Sequence, residues 1–211
     1  MSSKQVEFYL DPGCPWTWLT SRWLVDVAAQ RGDLEIAWRP FSLALLNAGR
    51  PVPPQFDTSA MREKRFVADR ALRVLTVLGE DEQHEPAGRF YTEFGRRFHD
   101  GDGGPGDDPV AAAAKAAGIG DAVDVAQADT VDEAVARHLA DALAAAGPDV
   151  GSPVLRIDGS ARGFHGPIVS PRVTGAAALR LFDAIATLQA ESGFYEIKRG
   201  RSGPPALGGA R

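Results

Sequence analysis

Two short regions of mixed strand and helix pattern, separated by a purely helical stretch, constrain the fold of this chain more than any other feature. Apolar residues run together or alternate in the strand segments and recur every three or four residues in the helical ones. The predicted strands cover residues 4–10, 34–41, 152–159 and 161–165, and the predicted helices 15–30, 58–79, 85–99, 108–117, about 121–126, 130–146 and about 175–191. This order predicts an α/β fold with a four-stranded mixed sheet, interrupted by an all-helical insertion.

The insertion also predicts how the chain divides. The predicted parts are a sheet domain of residues 1–56 and 148–199, an inserted helical domain of residues 57–147, and a disordered tail of residues 200–211 rich in glycine and proline. The segment 42–56 contains three prolines and is predicted to be irregular. In the helix predicted over 58–79, the expected core face is Phe66, Ala71, Val74, Leu75 and Leu78.

Composition excludes several classes of function. The net charge is −5 and no basic stripe with interleaved aromatic residues is present, which argues against nucleic acid as a partner. No apolar run approaches the ~20 residues of a membrane span, and the N-terminus does not resemble a signal peptide. A single cysteine cannot form an internal disulfide. We therefore expect a cytoplasmic protein that does not bind a membrane.

The single cysteine, Cys14, is placed where the first predicted strand turns into the first predicted helix, after the turn Asp11-Pro12-Gly13. A thiol in the first turn of a helix faces free backbone N–H groups and the positive end of the helix dipole. Both favour the reactive thiolate, and so predict a lowered thiol pKa. The alternative is a buried, inert cysteine that behaves as a small apolar residue.

Residues around Cys14 have functional and purely structural interpretations. The Thr17 hydroxyl could donate a hydrogen bond to the thiolate or simply pack within the helix. Asp11 could orient the turn and would raise the thiol pKa, although a plain turn residue is the simpler interpretation. Trp16 could form a flat wall of a substrate pocket. The other tryptophans, Trp18, Trp23 and Trp38, are expected in the core or between helices.

The histidines and glycines do not form a cofactor motif. His84, His99, His138 and His165 lack the spacing of metal ligands, so no metal site is expected. The first three are expected on the surface, whereas His165 could line the pocket. No phosphate-binding loop or dinucleotide motif is present, so no tightly bound cofactor is predicted.

Four sequence strings resemble a known family. CPWT at residues 14–17 resembles the Cys-X-X-Cys motif of thioredoxin-fold oxidoreductases, with Thr17 replacing the second cysteine, and GSPV at 151–154 resembles their cis-proline loop. The helical insertion is similar to that of the DsbA-like branch, which includes 2-hydroxychromene-2-carboxylate isomerases and kappa-class glutathione transferases. FHGPIVSP at 164–171 and GFYEIKR at 193–199 resemble actinobacterial mycothiol-dependent oxidoreductases and nitroreductases.

This resemblance implies a thioredoxin fold and a set of site residues. Cys14 would be the nucleophile with Thr17 beside it, and the Ser152–Pro153 peptide would be cis and present backbone groups to a thiol substrate. The implied substrate-binding residues are Pro15, Trp16, Ser152, Pro153 and His165. Because Thr17 cannot serve as a resolving thiol, a cycle with one protein thiol is the consistent mechanism.

The implied function is a thiol-disulfide oxidoreductase that uses mycothiol, or another small thiol, as co-substrate to reduce mixed disulfides or nitro compounds. One alternative is a kappa-class-like transferase or isomerase, in which the bound small thiol is the nucleophile. Another is a redox-inert binding protein with the same fold. The related branches suggest a homodimer, and the helical insertion is expected to form the second wall of the cleft and to close over substrate.

Overall fold

The computed structural model describes residues 4–104, 106–158 and 160–208. Gly159 of the predicted strand 152–159 and the last three residues of the predicted tail lie outside these ranges. The strands are β1 (Lys4–Leu10), β2 (Leu34–Pro40), β3 (Val154–Ile157) and β4 (Phe164–His165). The helices are α1 (Pro15–Arg31), α2 (Leu43–Leu46), α3 (Ser59–Glu80), α4 (His84–Phe98), α5 (Pro109–Ala117), α6 (Gly120–Val125), α7 (Val131–Ala146) and α8 (Gly175–Ala190), with a 3-10 turn at Pro54–Phe56.

The four strands form one mixed sheet in the order β2-β1-β3-β4. Strand β1 pairs parallel with β2 and antiparallel with β3, and β4 pairs antiparallel with β3. The predicted βαβ unit and the mixed sheet are confirmed. Helix α1 connects the parallel pair, so the end of β1 leads directly into the cysteine turn and the start of α1.

Helices cover both faces of the sheet. One core cluster joins Val6, Phe8 and Leu10 of β1 to α1, α8 and the inserted helices α3 and α4. A second cluster on the other face joins Tyr9 to Phe41 and to α7. Trp18, Trp23 and Trp38 are all buried, as expected. Among the described residues, no helix combines the length and the apolar character needed to cross a lipid bilayer.

Two predictions about the middle of the chain were wrong. Phe66 of α3 was expected in the core but is 65% exposed, whereas the four other predicted core residues of that helix are buried. The first part of α3 is mostly exposed, and the helix begins to pack against the core only at Val67 and Ala68. The segment 42–56, expected to be irregular, contains α2, which begins where the Ser42 hydroxyl accepts a hydrogen bond from the Leu45 N–H.

Candidate active site

Cys14 caps the N-terminus of α1, at the strand-to-helix junction that the sequence predicts. Its N–H donates to the Asp11 carbonyl over 3.1 Å, and its carbonyl accepts from the Trp18 N–H over 3.0 Å. Pro15, at the first helical position, needs no hydrogen-bond acceptor for its nitrogen. The Cys14 side chain makes no capping bond to the helix backbone, and the residue is partly exposed. The position of the thiol is therefore set by the backbone of the turn and of the first turn of α1.

The Ser152–Pro153 loop faces this cysteine. The peptide bond between the two residues is cis. The Cys14 Sγ lies 3.9 Å from the Ser152 carbonyl oxygen, the acceptor for its thiol proton. The loop immediately precedes β3, which pairs with β1, so the sheet itself brings residues 138 positions apart to the same point.

A hydrogen-bond network connects this loop to the cysteine turn. The Asp11 N–H donates to the Ser152 Oγ over 2.8 Å, and the Ser152 Oγ lies 2.9 Å from the Thr17 Oγ1. When Ser152 donates to Thr17, the Thr17 hydroxyl proton is free for the thiolate of Cys14. Ser152 and Thr17 are both buried, so each hydroxyl needs a partner within the protein, and the bond between them supplies one.

Asp11 organises the turn through its carboxylate. One oxygen accepts from the Gly13 N–H and the other from the Leu43 N–H of α2, each over 2.8 Å. Burial raises the pKa of Asp11 to about 6, although both backbone N–H bonds lower it. The sequence favoured a plain turn residue here. The structure instead assigns Asp11 to the orientation of the turn, since its two carboxylate oxygens connect Gly13 to α2.

The net direction predicted for the thiol pKa was wrong. Burial raises the pKa of Cys14 above its ordinary value. The Thr17 hydroxyl and the N–H groups of Thr17 and Trp16 lower this pKa, and the charge of Asp11 raises it. The helix start and Thr17 therefore act in the predicted direction, but loss of hydration outweighs them because an anion loses more than a neutral thiol on burial.

His99 is a site residue that sequence reasoning missed. It was expected on the surface, but its Nε2 is 2.9 Å from the Pro12 carbonyl and its ring stacks on Trp18. Burial lowers the pKa of His99 to about 4, so the ring is neutral near pH 7 and donates to Pro12. Only its place at the end of α4 is visible in the sequence. His138, also expected on the surface, is buried between α7 and α3.

Trp16 and His165 both lie near Arg201, and these three residues are called the open side of the site. The guanidinium carbon of Arg201 is 4.5 Å from the Trp16 ring centroid. A Cβ on Gly151 would lie 3.7 Å from the His165 ring, so this ring stands beside the Ser152–Pro153 loop. Partial burial lowers the pKa of His165, and the charge of Arg201 lowers it further. Of the predicted substrate-binding residues, Ser152 contacts the Cys14 thiol directly, and His165 lies beside the loop that holds Ser152.

No alternative centre competes with this site in the described part of the chain. No group of three or more His, Cys, Asp or Glu residues there is placed to bind a metal ion. A cavity of about 610 Å³ lies along the outer edge of β2, lined by α1 and α4 residues such as Val25, Gly88 and Thr92. None of the site residues lines it, and it contains no thiol. The thiol chemistry therefore belongs to the Cys14 site.

Solved structures with a similar fold support the thioredoxin-like architecture. A protein described as "probable DsbA oxidoreductase" from Streptomyces coelicolor has a TM-score of 0.56 at 20% identity, over 95% of each chain. A 2-hydroxychromene-2-carboxylate isomerase has a TM-score of 0.59 at 15% identity, over 87% of this chain and 93% of the other. The DsbA-like fold with a helical insertion is thereby confirmed.

Comparison of sequences identifies the family in addition to the fold. The uncharacterized protein Rv2286c of Mycobacterium tuberculosis is 32% identical over 203 residues, which cover 93% of this chain and 82% of the relative. The family described as "Rv2466c-like: Mycothiol-dependent nitroreductase Rv2466c" matches residues 13–199, a span that includes Cys14, Thr17 and the Ser152–Pro153 loop. The chain therefore belongs to the Rv2466c-like family of mycothiol-dependent nitroreductases, and its function is a thiol-dependent redox one.

Proposed function

We propose that this protein is a mycothiol-dependent thiol-disulfide oxidoreductase in which Cys14 is the single nucleophilic thiol. The observation that carries the proposal is the placement of Cys14 Sγ between the N-terminus of α1 and the Ser152 carbonyl, with Thr17 where a second thiol would stand. The family match supports mycothiol as the co-substrate. Reduced Cys14 is needed at each cycle, so we assign the protein to a reducing compartment, the cytoplasm.

The proposed reaction has two exchange steps. The Cys14 thiol loses its proton to solvent, and the thiolate attacks the small-thiol sulfur of a mixed disulfide. A Cys14–mycothiol disulfide forms, and the substrate leaves as a thiolate. A second mycothiol thiolate then attacks this intermediate, forms mycothiol disulfide and releases the Cys14 thiolate. For a nitro compound, two thiols reduce the nitro group to nitroso, with one disulfide and one water formed.

Each site residue has a role in this scheme. Thr17 and the first N–H groups of α1 stabilise the thiolate once it forms, because they lower the pKa of Cys14. Ser152 and Pro153 form the edge along which the thiol substrate lies, and Pro15, Trp16 and His165 form its surroundings. The raised pKa of Cys14 makes the thiolate a minority species, but a more basic thiolate is also more nucleophilic.

The helical insertion supplies the second wall of the cleft in this proposal. A Cβ on Gly13 would lie 2.8 Å from the Ala68 Cβ, so α3 is in direct contact with the cysteine turn. His99 after α4 bonds the Pro12 carbonyl of the same turn. The two contacts couple any movement of α3 and α4 to the position of Cys14, as closure over a bound substrate requires.

One observation favours a second candidate function. The raised pKa of Cys14 and its contact with the Ser152 carbonyl stabilise the protonated thiol. A protonated thiol could donate to the sulfur of a bound small thiol, whose thiolate would then be the nucleophile of a transferase or isomerase. The two candidates differ in whether Cys14 becomes covalently bonded.

The deciding experiment replaces Cys14 with Ser and Ala and measures reduction of a mycothiol mixed disulfide with mycothiol as reductant. We expect both variants to fall to the uncatalysed rate, and intact-mass analysis of the wild type to show a Cys14–mycothiol adduct. Activity retained by Cys14→Ser would contradict the proposal and support the transferase or isomerase. If the wild type binds mycothiol without turnover or adduct, the remaining interpretation is a binding protein.

A further inference from the structure

The segment of residues 194–208 lies against the fold beside the active site, although its residues from 200 onward were predicted to be disordered. Near its start, Phe194 packs edge-on against Phe164 of β4, with ring centroids 5.6 Å apart. Arg201 then lies over the Trp16 ring. Further on, the Ala206 N–H donates to the Ser170 Oγ over 3.1 Å, and the Gly208 N–H reaches Asp100 over 3.4 Å. The segment therefore passes from β4, at the edge of the sheet, to Trp16, two positions after Cys14.

This segment is basic in an acidic protein. Residues 194–208 contain Lys198, Arg199 and Arg201 and one acidic residue, Glu196, whereas the whole chain has a net charge of −5. The charges of Lys198, Glu196 and Arg201 all act on His165, beside the Ser152–Pro153 loop. The positive charge is thus concentrated where substrate reaches the thiol, and such local charge attracts anions.

The guanidinium group of Arg201 has hydrogen-bond donors available at this point. Its contact with Trp16 is a cation–π contact at 4.5 Å from the ring centroid, which leaves guanidinium N–H groups available for another partner. Within the described residues, Arg201 forms neither a salt bridge nor a side-chain hydrogen bond, and it is exposed. The family match ends at residue 199, so Arg201 lies beyond the part of the chain that the family shares.

We propose that Arg201 is a specificity-determining residue that selects disulfide or electrophile substrates with an anionic group next to the reacting atom. The cation–π contact with Trp16 holds the guanidinium beside the first turn of α1, and its N–H groups pair with a carboxylate or a similar oxyanion of the substrate. The inference names the substrate class of the same site and so rests on the proposed function.

The test compares two alkylating agents of Cys14 that differ in charge, iodoacetate and iodoacetamide. The ratio of their rate constants at one pH cancels the thiolate fraction and reports the local charge. We expect Arg201→Gln to lower the iodoacetate-to-iodoacetamide ratio by about fivefold, the size of one nearby charge in high dielectric. Arg201→Lys should keep most of the wild-type ratio, and 0.5 M salt should lower that ratio in the wild type.

Arg180→Gln is the matched control. Arg180 is exposed on α8, a helix that packs against α1 away from Cys14 at Trp23 and Arg31, so the same loss of charge should leave the ratio unchanged. Equal ratios in wild type and Arg201→Gln would overturn the proposal. The proposal would also be overturned if Arg201→Gln increased the alkylation rates of iodoacetate and iodoacetamide equally. That result would show that the segment of residues 194–208 only hinders access to Cys14.

Disulfide substrates give the second readout. Arg201→Gln should lower the ratio of kcat/KM for the dianionic 5,5′-dithiobis(2-nitrobenzoate) to kcat/KM for the neutral 4,4′-dithiodipyridine, through a higher KM for the anionic disulfide, whereas Arg180→Gln should leave this ratio unchanged. The alkylation ratio needs no turnover. A wild type that shows charge-selective labelling but reduces no disulfide would therefore contradict the proposed function and leave the charge selection by Arg201 standing.

Discussion

The two sides of Cys14 are built from different kinds of contact. On the closed side, Asp11, Thr17 and Ser152 are connected by hydrogen bonds of 2.8–2.9 Å, and the two hydroxyl residues are buried. On the open side, Trp16 and Arg201 meet through one cation–π contact, and Arg201 is exposed. A buried hydrogen bond is costly to break, whereas an exposed cation–π contact contributes about 0.5–1 kcal/mol.

This difference separates two properties of the thiol. The closed side determines where the sulfur lies and how its charge is stabilised, because every contact there involves the cysteine turn or the Ser152–Pro153 loop. The open side determines what reaches the sulfur. Substitutions on the closed side should therefore change folding stability and thiol titration together, and substitutions on the open side should change substrate choice with little effect on stability.

Among substitutions around Cys14, the largest effect is expected from an added methyl group between α4 and the closed side. A Cβ on Gly95 of α4 would lie 2.2 Å from the buried indole of Trp18, which packs under the turn. We expect Gly95→Ala to lower the free energy of unfolding by about 3 kcal/mol or more, measured by urea unfolding. Gly120→Ala, where nothing lies within 4 Å of the added Cβ, is the control and should not destabilise. Equal stability of the two variants would contradict the packing.

Loss of the central hydroxyl should have the next largest effect. Ser152→Ala leaves the Asp11 N–H without its acceptor and removes the partner of Thr17. An unsatisfied buried donor costs about 1–3 kcal/mol, so we expect a loss of unfolding free energy in this range. Ser202→Ala, on the exposed segment, should change stability by less than about 0.5 kcal/mol. A neutral Ser152→Ala would show that the network does not stabilise the fold.

Asp11 and His99 should give the closed side opposing pH dependences. The pKa of His99 is about 4 in the native state against 6.5 ordinarily, so the unfolded state binds more protons between these values and His99 makes stability rise with pH. The pKa of Asp11 is about 6 against 3.8 ordinarily, so the native state binds more protons there and Asp11 makes stability fall with pH.

Single substitutions should reveal each dependence. Relative to wild type, His99→Gln should be most destabilised above pH 6.5 and progressively less so down to pH 4. Relative to wild type, Asp11→Asn should become more favourable as the pH rises from 4 to 6. Urea midpoints at pH 4, 5, 6 and 7 measure both. Differences from wild type that are constant with pH would contradict the assigned protonation states.

The smallest effect is expected for an exposed aromatic residue of α3. Phe66 is 65% exposed, in the part of α3 that precedes its contacts with the core. We expect Phe66→Ala to change the free energy of unfolding by less than about 0.5 kcal/mol. Phe94→Ala, at a fully buried ring of α4, should cost about 3–5 kcal/mol in the same measurement. A large loss of unfolding free energy in Phe66→Ala would contradict the exposed position of this side chain.

Local patterns were sufficient for most of the architecture. The helix predicted over 15–30 is observed at Pro15–Arg31, and the strand predicted over 4–10 at Lys4–Leu10. Periodicity identified the buried face of α3. It could not show where along the helix the contacts with the core begin, so Phe66 was wrongly predicted to be in the core. A pattern of apolar residues reports which face would be buried, and only the neighbouring elements decide how much of that face is covered.

The sequence by itself determined the α/β order, the placement of Cys14 at a helix start and the absence of a second thiol, since each depends on a short stretch of chain. The tertiary structure decided the rest. The Asp11–Ser152 bond, the His99 contact with Pro12 and the position of Arg201 over Trp16 join residues 87 to 185 positions apart. The raised pKa of Cys14 has the same origin, because loss of hydration is a sum over everything that surrounds a group.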